Sequence, residues 1–174
     1  MSVIVKEALE GLIREVKNDP AKAQAVFETT SVLGEHVSVT SSSRQFDYQF
    51  DEPEIFGGQD AAPNPVEYVL GALGACQAIM YRALSSLKGI HLDKVTVKTK
   101  GYLDAQGFTG LNQEVRPGYQ KIEYETIIES GERKEKLERL AEQVDLLCPV
   151  LDILSNPVEV KGKVTIHHKP ELVH

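Results

Sequence analysis

Residues 66–88, VEYVLGALGACQAIMYRALSSLK, read as one long helix whose apolar positions run nearly all the way around it. A helix with a single apolar stripe lies on a surface, whereas one apolar on almost every side is buried. Gly71, Ala72, Gly74, Ala75 and Ala78 are small, which lets another backbone approach closely. Asn64 is placed to cap the start, Pro65 suits the first turn, and Gly89 is placed to end the helix. A chain built on such a segment must arrange its remaining elements around a central helix.

Those elements follow from periodicity. Residues 3–17 form an amphipathic helix, with Val5, Leu9, Leu12, Ile13 and Val16 near a 3.6-residue repeat, and Asn18-Asp19-Pro20 ends it. From Ala25 to Phe50 the pattern shortens to two, which predicts two or three antiparallel strands with turns near Gly34 and Ser41-Ser42-Ser43. Residues 51–65, rich in Pro, Gly and Asp, form a loop. Beyond the central helix come strands over His91–Leu103 and about Tyr119–Ile128. A helix follows over Arg133–Leu147, with Leu137, Leu140, Val144 and Leu147 inward. Cys148-Pro149 interrupts it, Val150–Leu154 forms a short third helix, and Val158–His167 alternates as a closing strand. No repeat or linker divides the chain, so it reads as an α+β domain over residues 21–174, preceded by an amphipathic helical extension over residues 1–20.

Composition excludes several classes of function. With 41% hydrophobic and 26% charged residues, the chain buries a core and is not intrinsically disordered. No apolar run is long enough to span a membrane, and the N-terminal residues lack the basic and apolar blocks of a secretory signal. A formal charge of −7 without a Lys/Arg cluster argues against nucleic acid as a partner. Two cysteines are too few for a secreted disulfide scaffold and read as reduced thiols in a cytoplasm.

The two thiols have different settings. Cys76 lies mid-helix among Leu73, Ile79 and Met80, where a small buried hydrophobe competes with a functional reading. Cys148 precedes Pro149 and so becomes the N-cap of the next helix. Orphan N–H groups and the helix dipole there are expected to lower its pKa; the competing reading is an inert cysteine at a helix break. One thiol on the central helix and one at a helix start suggest a pair that meets.

NPVEYVLGALGAC, then GIHLDKVTVKTKGYLD, then LLCPVLDILSNPVEVKGKVTI, together resemble the OsmC/Ohr family of organic hydroperoxide resistance proteins over roughly residues 35–168. The resemblance implies an OsmC-like fold, in which antiparallel sheets wrap around two central helices in an intertwined homodimer. It also implies reduction of organic hydroperoxides in oxidative stress defence: Cys76 as the peroxidatic thiolate, Cys148 as the resolving thiol, and an external dithiol as reductant. Such chemistry needs no metal or other cofactor.

The family also uses an arginine and a glutamate to activate the thiolate. Arg44, in the strand region before the loop, is the candidate cation. The family's glutamate directly follows the proline of the Asn-Pro step, where this chain has Val66; Glu67 stands one residue later. At about 100° per residue, Glu67 and Cys76 point to opposite sides of one helix. Glu67 therefore serves either another chain's site or its own helix N-terminus. Arg82 lies about 120° around the helix from Cys76, and Arg116 and Arg133 read as solvated loop residues.

Other features have plainer readings. Gly57-Gly58 lacks the spacing of a phosphate cradle, while Ile55 and Phe56 either line an apolar substrate site or anchor the loop. His167, His168 and His174 have no acidic or Cys partner at ligand spacing, so no metal is expected. The run ERKEKLERLAE is a solvated helix face with i,i+4 pairs. Two functions remain: a thiol-dependent hydroperoxide reductase, or a non-peroxidase dimer of the same fold that binds a hydrophobic ligand at the subunit interface.

Overall fold

The computed structural model describes residues 2–168. Helix α1 spans Val3–Asn18, with the Ser2 hydroxyl accepting from the Val5 N–H at 3.4 Å. It stops at Asp19 because Pro20 disfavours helical geometry in the residue before it. Strands β1 (Thr30–Leu33), β2 (Val39–Ser43) and β3 (Phe46–Phe50) form an antiparallel sheet in that order. Val26 and Phe27 precede the first strand and are exposed, so pairing starts later than the period-two pattern suggests.

The Ser41-Ser42-Ser43 run is not a turn but the end of β2. Its hydroxyls find partners on neighbouring strands: the Ser41 and Ser31 hydroxyls lie 2.7 Å apart, and the Ser42 hydroxyl donates to Asp47 Oδ1 at 2.6 Å. The chain reverses at Arg44-Gln45 instead, with Arg44 in the left-handed region at φ +55°.

The loop that follows contains a 3-10 turn over Glu54–Phe56 and leads into α2 (Pro65–Lys88). Here a capping box closes the first turn. Asn64 Oδ1 accepts from the Glu67 N–H and Glu67 Oε2 accepts from the Asn64 N–H, both at 2.9 Å. Gly89, at φ +64°, ends the helix in the left-handed conformation that glycine adopts without strain. No helix among the described residues is long and apolar enough to cross a membrane.

Strand β4 (Lys94–Leu103), the short α3 (Ala105–Phe108) and β5 (Tyr119–Glu129) follow, β4 and β5 pairing antiparallel along their lengths. Gly101 on β4 makes room for the Tyr119 ring, which a Cβ there would overlap. The Tyr119 hydroxyl donates to the Val66 carbonyl at 2.9 Å, tying the start of α2 to this sheet. Helices α4 (Lys134–Leu147) and α5 (Pro149–Ser155) complete the regular structure, with Lys134–Glu138 and Lys136–Glu132 ion pairs along the solvated face.

Tyr81 and Leu84 of α2 join Ile90, Leu92, and Leu140 and Val144 of α4 in the core, and Val95 of β4 and Ile128 of β5 pack against it. Two expectations about burial need correction. The central helix is covered on one side only: Gly71, Ala72 and Ala75 are exposed and Ile79 is 66% exposed. Leu147 points outward with Leu146, at the last turn of α4 where the helix has passed the core.

The closing strand is the larger difference. Residues 157–168 have no regular structure, and Val158, Val160, Val164 and Ile166 are exposed. Alternation selects an extended segment, but a strand exists only where another edge supplies backbone partners, and among the described residues none lies alongside it. His174 lies outside the described residues.

Candidate thiol site

Cys148 stands between α4 and α5, at φ −78° and ψ 111°. Proline forces this break: Pro149 has no N–H to continue α4, and it pushes the residue before it out of helical geometry. Antiparallel packing of α4 on α2 brings that break level with the middle of the central helix. There the buried Cys148 thiol lies beside the half-buried Cys76, and no disulfide joins the two.

The electrostatics of Cys148 differ from the sequence expectation. Burial, at 1% exposure, pushes its thiol up, and the neighbouring Cys76 thiol adds to that rise. The N–H groups of Leu151 and Val150 at the start of α5 act in the opposite direction but do not prevail. The dipole argument fails here because desolvation penalises the thiolate more than a helix of seven residues favours it.

Beside the thiols lie polar groups that the sequence reading passed over. Gln77, the residue after Cys76, is 0% exposed, and its Nε2 donates to Asp145 Oδ1 at 3.2 Å. Gln77 Oε1 is buried and has no hydrogen-bond partner among the described residues. Burial and the Asp145 carboxylate beside it push the Tyr124 phenol up to about 12. The Tyr81 phenol is raised by the same two causes. A signal was present in the sequence: a glutamine inside GACQAIM breaks an otherwise apolar stretch, and Asp145 precedes Cys148 by one helical turn.

The other candidates sit elsewhere. Arg44 lies in the β2–β3 turn with its guanidinium over the Phe46 ring, 5.3 Å from the centroid. Glu67 is engaged in the α2 capping box. Among the described residues neither makes a hydrogen bond or ion pair with a thiol. Arg133 is exposed, as expected, at the N-cap position just before α4, and its side chain makes no capping bond.

Arg116 is exposed, as expected, and borders a cavity of about 320 Å³ together with Leu73, Tyr119, Lys121, Tyr124 and Leu151. Leu73 is one turn before Cys76 and Leu151 one turn after Cys148, so this cavity opens one turn from each thiol, and neither cysteine lines it. A second cavity, of about 380 Å³, is walled by Phe56, Val66, Leu103 and Phe108 near the start of α2, while Ile55 points to solvent. No three His, Cys, Asp or Glu side chains gather as a metal set among the described residues.

Comparison with known proteins identifies the architecture. The family model for OsmC-like proteins matches residues 57–163. Among solved structures, an OsmC-like protein from Mycoplasma pneumoniae superposes with a TM-score of 0.68 at 21% identity, covering 77% of this chain and 90% of that one. An organic hydroperoxide resistance protein OsmC from Legionella pneumophila gives 0.58 at 18% identity, with coverages of 79% and 94%. An OsmC-like protein of unknown function from Vibrio cholerae gives 0.60 at 11% identity, covering 78% and 96%. No curated protein sequence matches this chain. At these identities the structural likeness speaks for the fold.

Proposed function

The chain belongs to the OsmC-like protein family, and on that premise we propose that it is a thiol-dependent reductase of organic hydroperoxides. The observation that carries this reading is a half-buried Cys76 facing a buried, reduced Cys148 across the α2–α5 boundary. In the first step the Cys76 thiolate attacks the distal peroxide oxygen. The O–O bond breaks, the alkoxide takes a proton and leaves as an alcohol, and Cys76 becomes a sulfenic acid. In the second step Cys148 sulfur attacks Cys76 sulfur: an S–S bond forms, the S–O bond breaks, and the hydroxide leaves with the Cys148 proton as water. An external dithiol then reduces the disulfide by thiol–disulfide exchange.

Leu73, Leu151 and Leu154 give the cavity near the thiols an apolar side for the alkyl group of an organic peroxide, while Arg116, Gln120, Lys121 and Ser155 make the rest of its lining polar. The reading includes a homodimer of a residue 21–174 domain carrying the residue 1–20 extension, in a cytoplasm where thiols stay reduced. Two bare surfaces support a second copy: the Gly71, Ala72, Ala75 and Ile79 face of α2, and the alternating segment 157–168, which has no strand partner among the described residues. Arg44 as cation and Glu67 as its carboxylate belong to this proposal only through that second copy, since within one chain neither joins the thiols.

One observation favours the alternative, a family member that binds a hydrophobic ligand without peroxidase chemistry. Glu67 is committed to the capping box and Val66 occupies the position before it. Stopped-flow reaction with cumene hydroperoxide and hydrogen peroxide, with intact-mass analysis, separates the two. The reductase loses two thiols per organic hydroperoxide, is inactive as Cys76→Ser, and stalls with an overoxidised Cys76 as Cys148→Ser. A rate no faster than that of a free thiol establishes the ligand-binding reading instead.

A further inference from the structure

Gln77 sits where an apolar side chain would fit without difficulty. It faces α4 from the middle of α2, has no exposure, and leaves Oε1 without a partner among the described residues. A buried acceptor of this kind works against stability, so its amide needs a reason to be there. Its one hydrogen bond supplies it. Nε2 reaches Asp145 Oδ1 at 3.2 Å, linking the residue immediately after Cys76 to the residue one turn before Cys148. The bond ties α2 to the last turn of α4, running from the buried Gln77 to the exposed Asp145 just before the break that carries Cys148. Tyr124 of β5 flanks Asp145 from the third side.

We propose that the Gln77–Asp145 hydrogen bond is a strap that positions Cys148 for disulfide formation with Cys76. Disulfides demand narrow geometry, with Cβ atoms about 3.8 Å apart and a dihedral near 90°. Cys148 lies at a helix break, where only the Leu151 and Val150 N–H groups at the start of α5 act on its sulfur locally. Fixing the last turn of α4 to α2 limits where the break can place that sulfur. The strap thus acts on the second step of the proposed cycle, after organic hydroperoxide has oxidised Cys76 to the sulfenic acid. It rests on the reductase reading for that timing, while the disulfide equilibrium itself can be measured without any peroxide.

The test uses the full chain as wild type, Gln77→Leu, Asp145→Ala, Asp145→Asn and the Gln77→Leu/Asp145→Ala double variant. Each is equilibrated in glutathione redox buffers, and the Cys76–Cys148 disulfide fraction is read by mass. Thermal unfolding of each reduced variant is recorded alongside. Gln77→Leu is expected to weaken the disulfide about tenfold, raising its potential by about 30 mV, without loss of thermal stability. Asp145→Ala gives a similar shift, and the double variant shifts no further than either alone. Asp145→Asn keeps an oxygen acceptor for Gln77 Nε2 and restores the wild-type potential. With cumene hydroperoxide, the variants slow disulfide formation about tenfold, and sulfenic acid formation at Cys76 does not share that loss.

Wild-type potentials in Gln77→Leu and Asp145→Ala overturn the proposal, as does a double variant whose shifts add. Absence of any Cys76–Cys148 disulfide in oxidising glutathione also overturns it. If Asp145→Ala fails to fold, Gln77→Leu and Asp145→Asn still decide. Failure of the reductase reading shows separately, as a wild type inert to hydroperoxide whose glutathione equilibrium still responds to the strap.

Discussion

Asp51 is 3% exposed, and its carboxylate accepts the backbone N–H groups of Glu52, Gln59 and Ala61 at 2.9–3.1 Å. Those donors hold its pKa below the usual carboxylate value and fold the loop before α2 around one side chain. A carboxylate whose pKa is depressed on folding stabilises in full above its unfolded value, near 3.9, and that contribution is lost as pH falls through the folded value. Loop 52–61 is therefore expected to loosen below about pH 4. Amide exchange at Gln59 and Ala61 reads this directly, and Asp51→Asn should exchange fast already at neutral pH and lose the acid dependence. The sequence marked this stretch as loop from its Pro, Gly and Asp content. Which aspartate organises it depends on burial and three donors from separate residues, and no local pattern encodes that. Cys148 shows the same limit: its place at a helix N-cap was legible from Cys-Pro, while the direction of its pKa shift followed from burial.

At the scale of elements, periodicity and capping served well wherever a segment's own residues carry the interactions. The start of α2 was readable from Asn64, Pro65 and Glu67, because a capping box closes within four residues. The thiol helix and the Cys-Pro break were readable for the same reason. The inward face of α4 was readable at Leu140 and Val144 and failed at Leu147, where the helix has already passed the core. Leu140 is almost fully buried among Tyr81, Leu84 and Ile90, so Leu140→Ala removes packing from the centre of the α2–α4 contact. A loss of about 2–5 kcal/mol is expected, read as a lowered urea midpoint with an unchanged slope. The segment 158–167 failed for the opposite reason: a helix closes its hydrogen bonds internally, whereas a strand depends on a neighbour.

The molecule as a whole leaves apolar surface uncovered: Ile79 with Ala72 and Ala75 on α2, Ile4 on α1, and Val160 and Val164 near the chain's end. Under the homodimer proposal, sedimentation at micromolar concentration gives about twice the 19.2 kDa chain mass. Ile79→Glu places a charge on the bare face of α2 and is expected to give a species of single-chain mass; an unchanged dimer would move the interface away from that face.

The sequence by itself determined the α+β class, the bounds of the longer helices α1, α2 and α4 to within a residue or so, the family and the two thiols, because spacing, caps and proline act over a few residues; it missed the short α3. Only the tertiary structure decided that Cys76 and Cys148 meet, that Gln77 reaches Asp145, and that Arg44 and Glu67 stay apart from the thiols within one chain. Those outcomes depend on how α4 packs against α2 and on what burial does to each group, relations between residues distant along the chain.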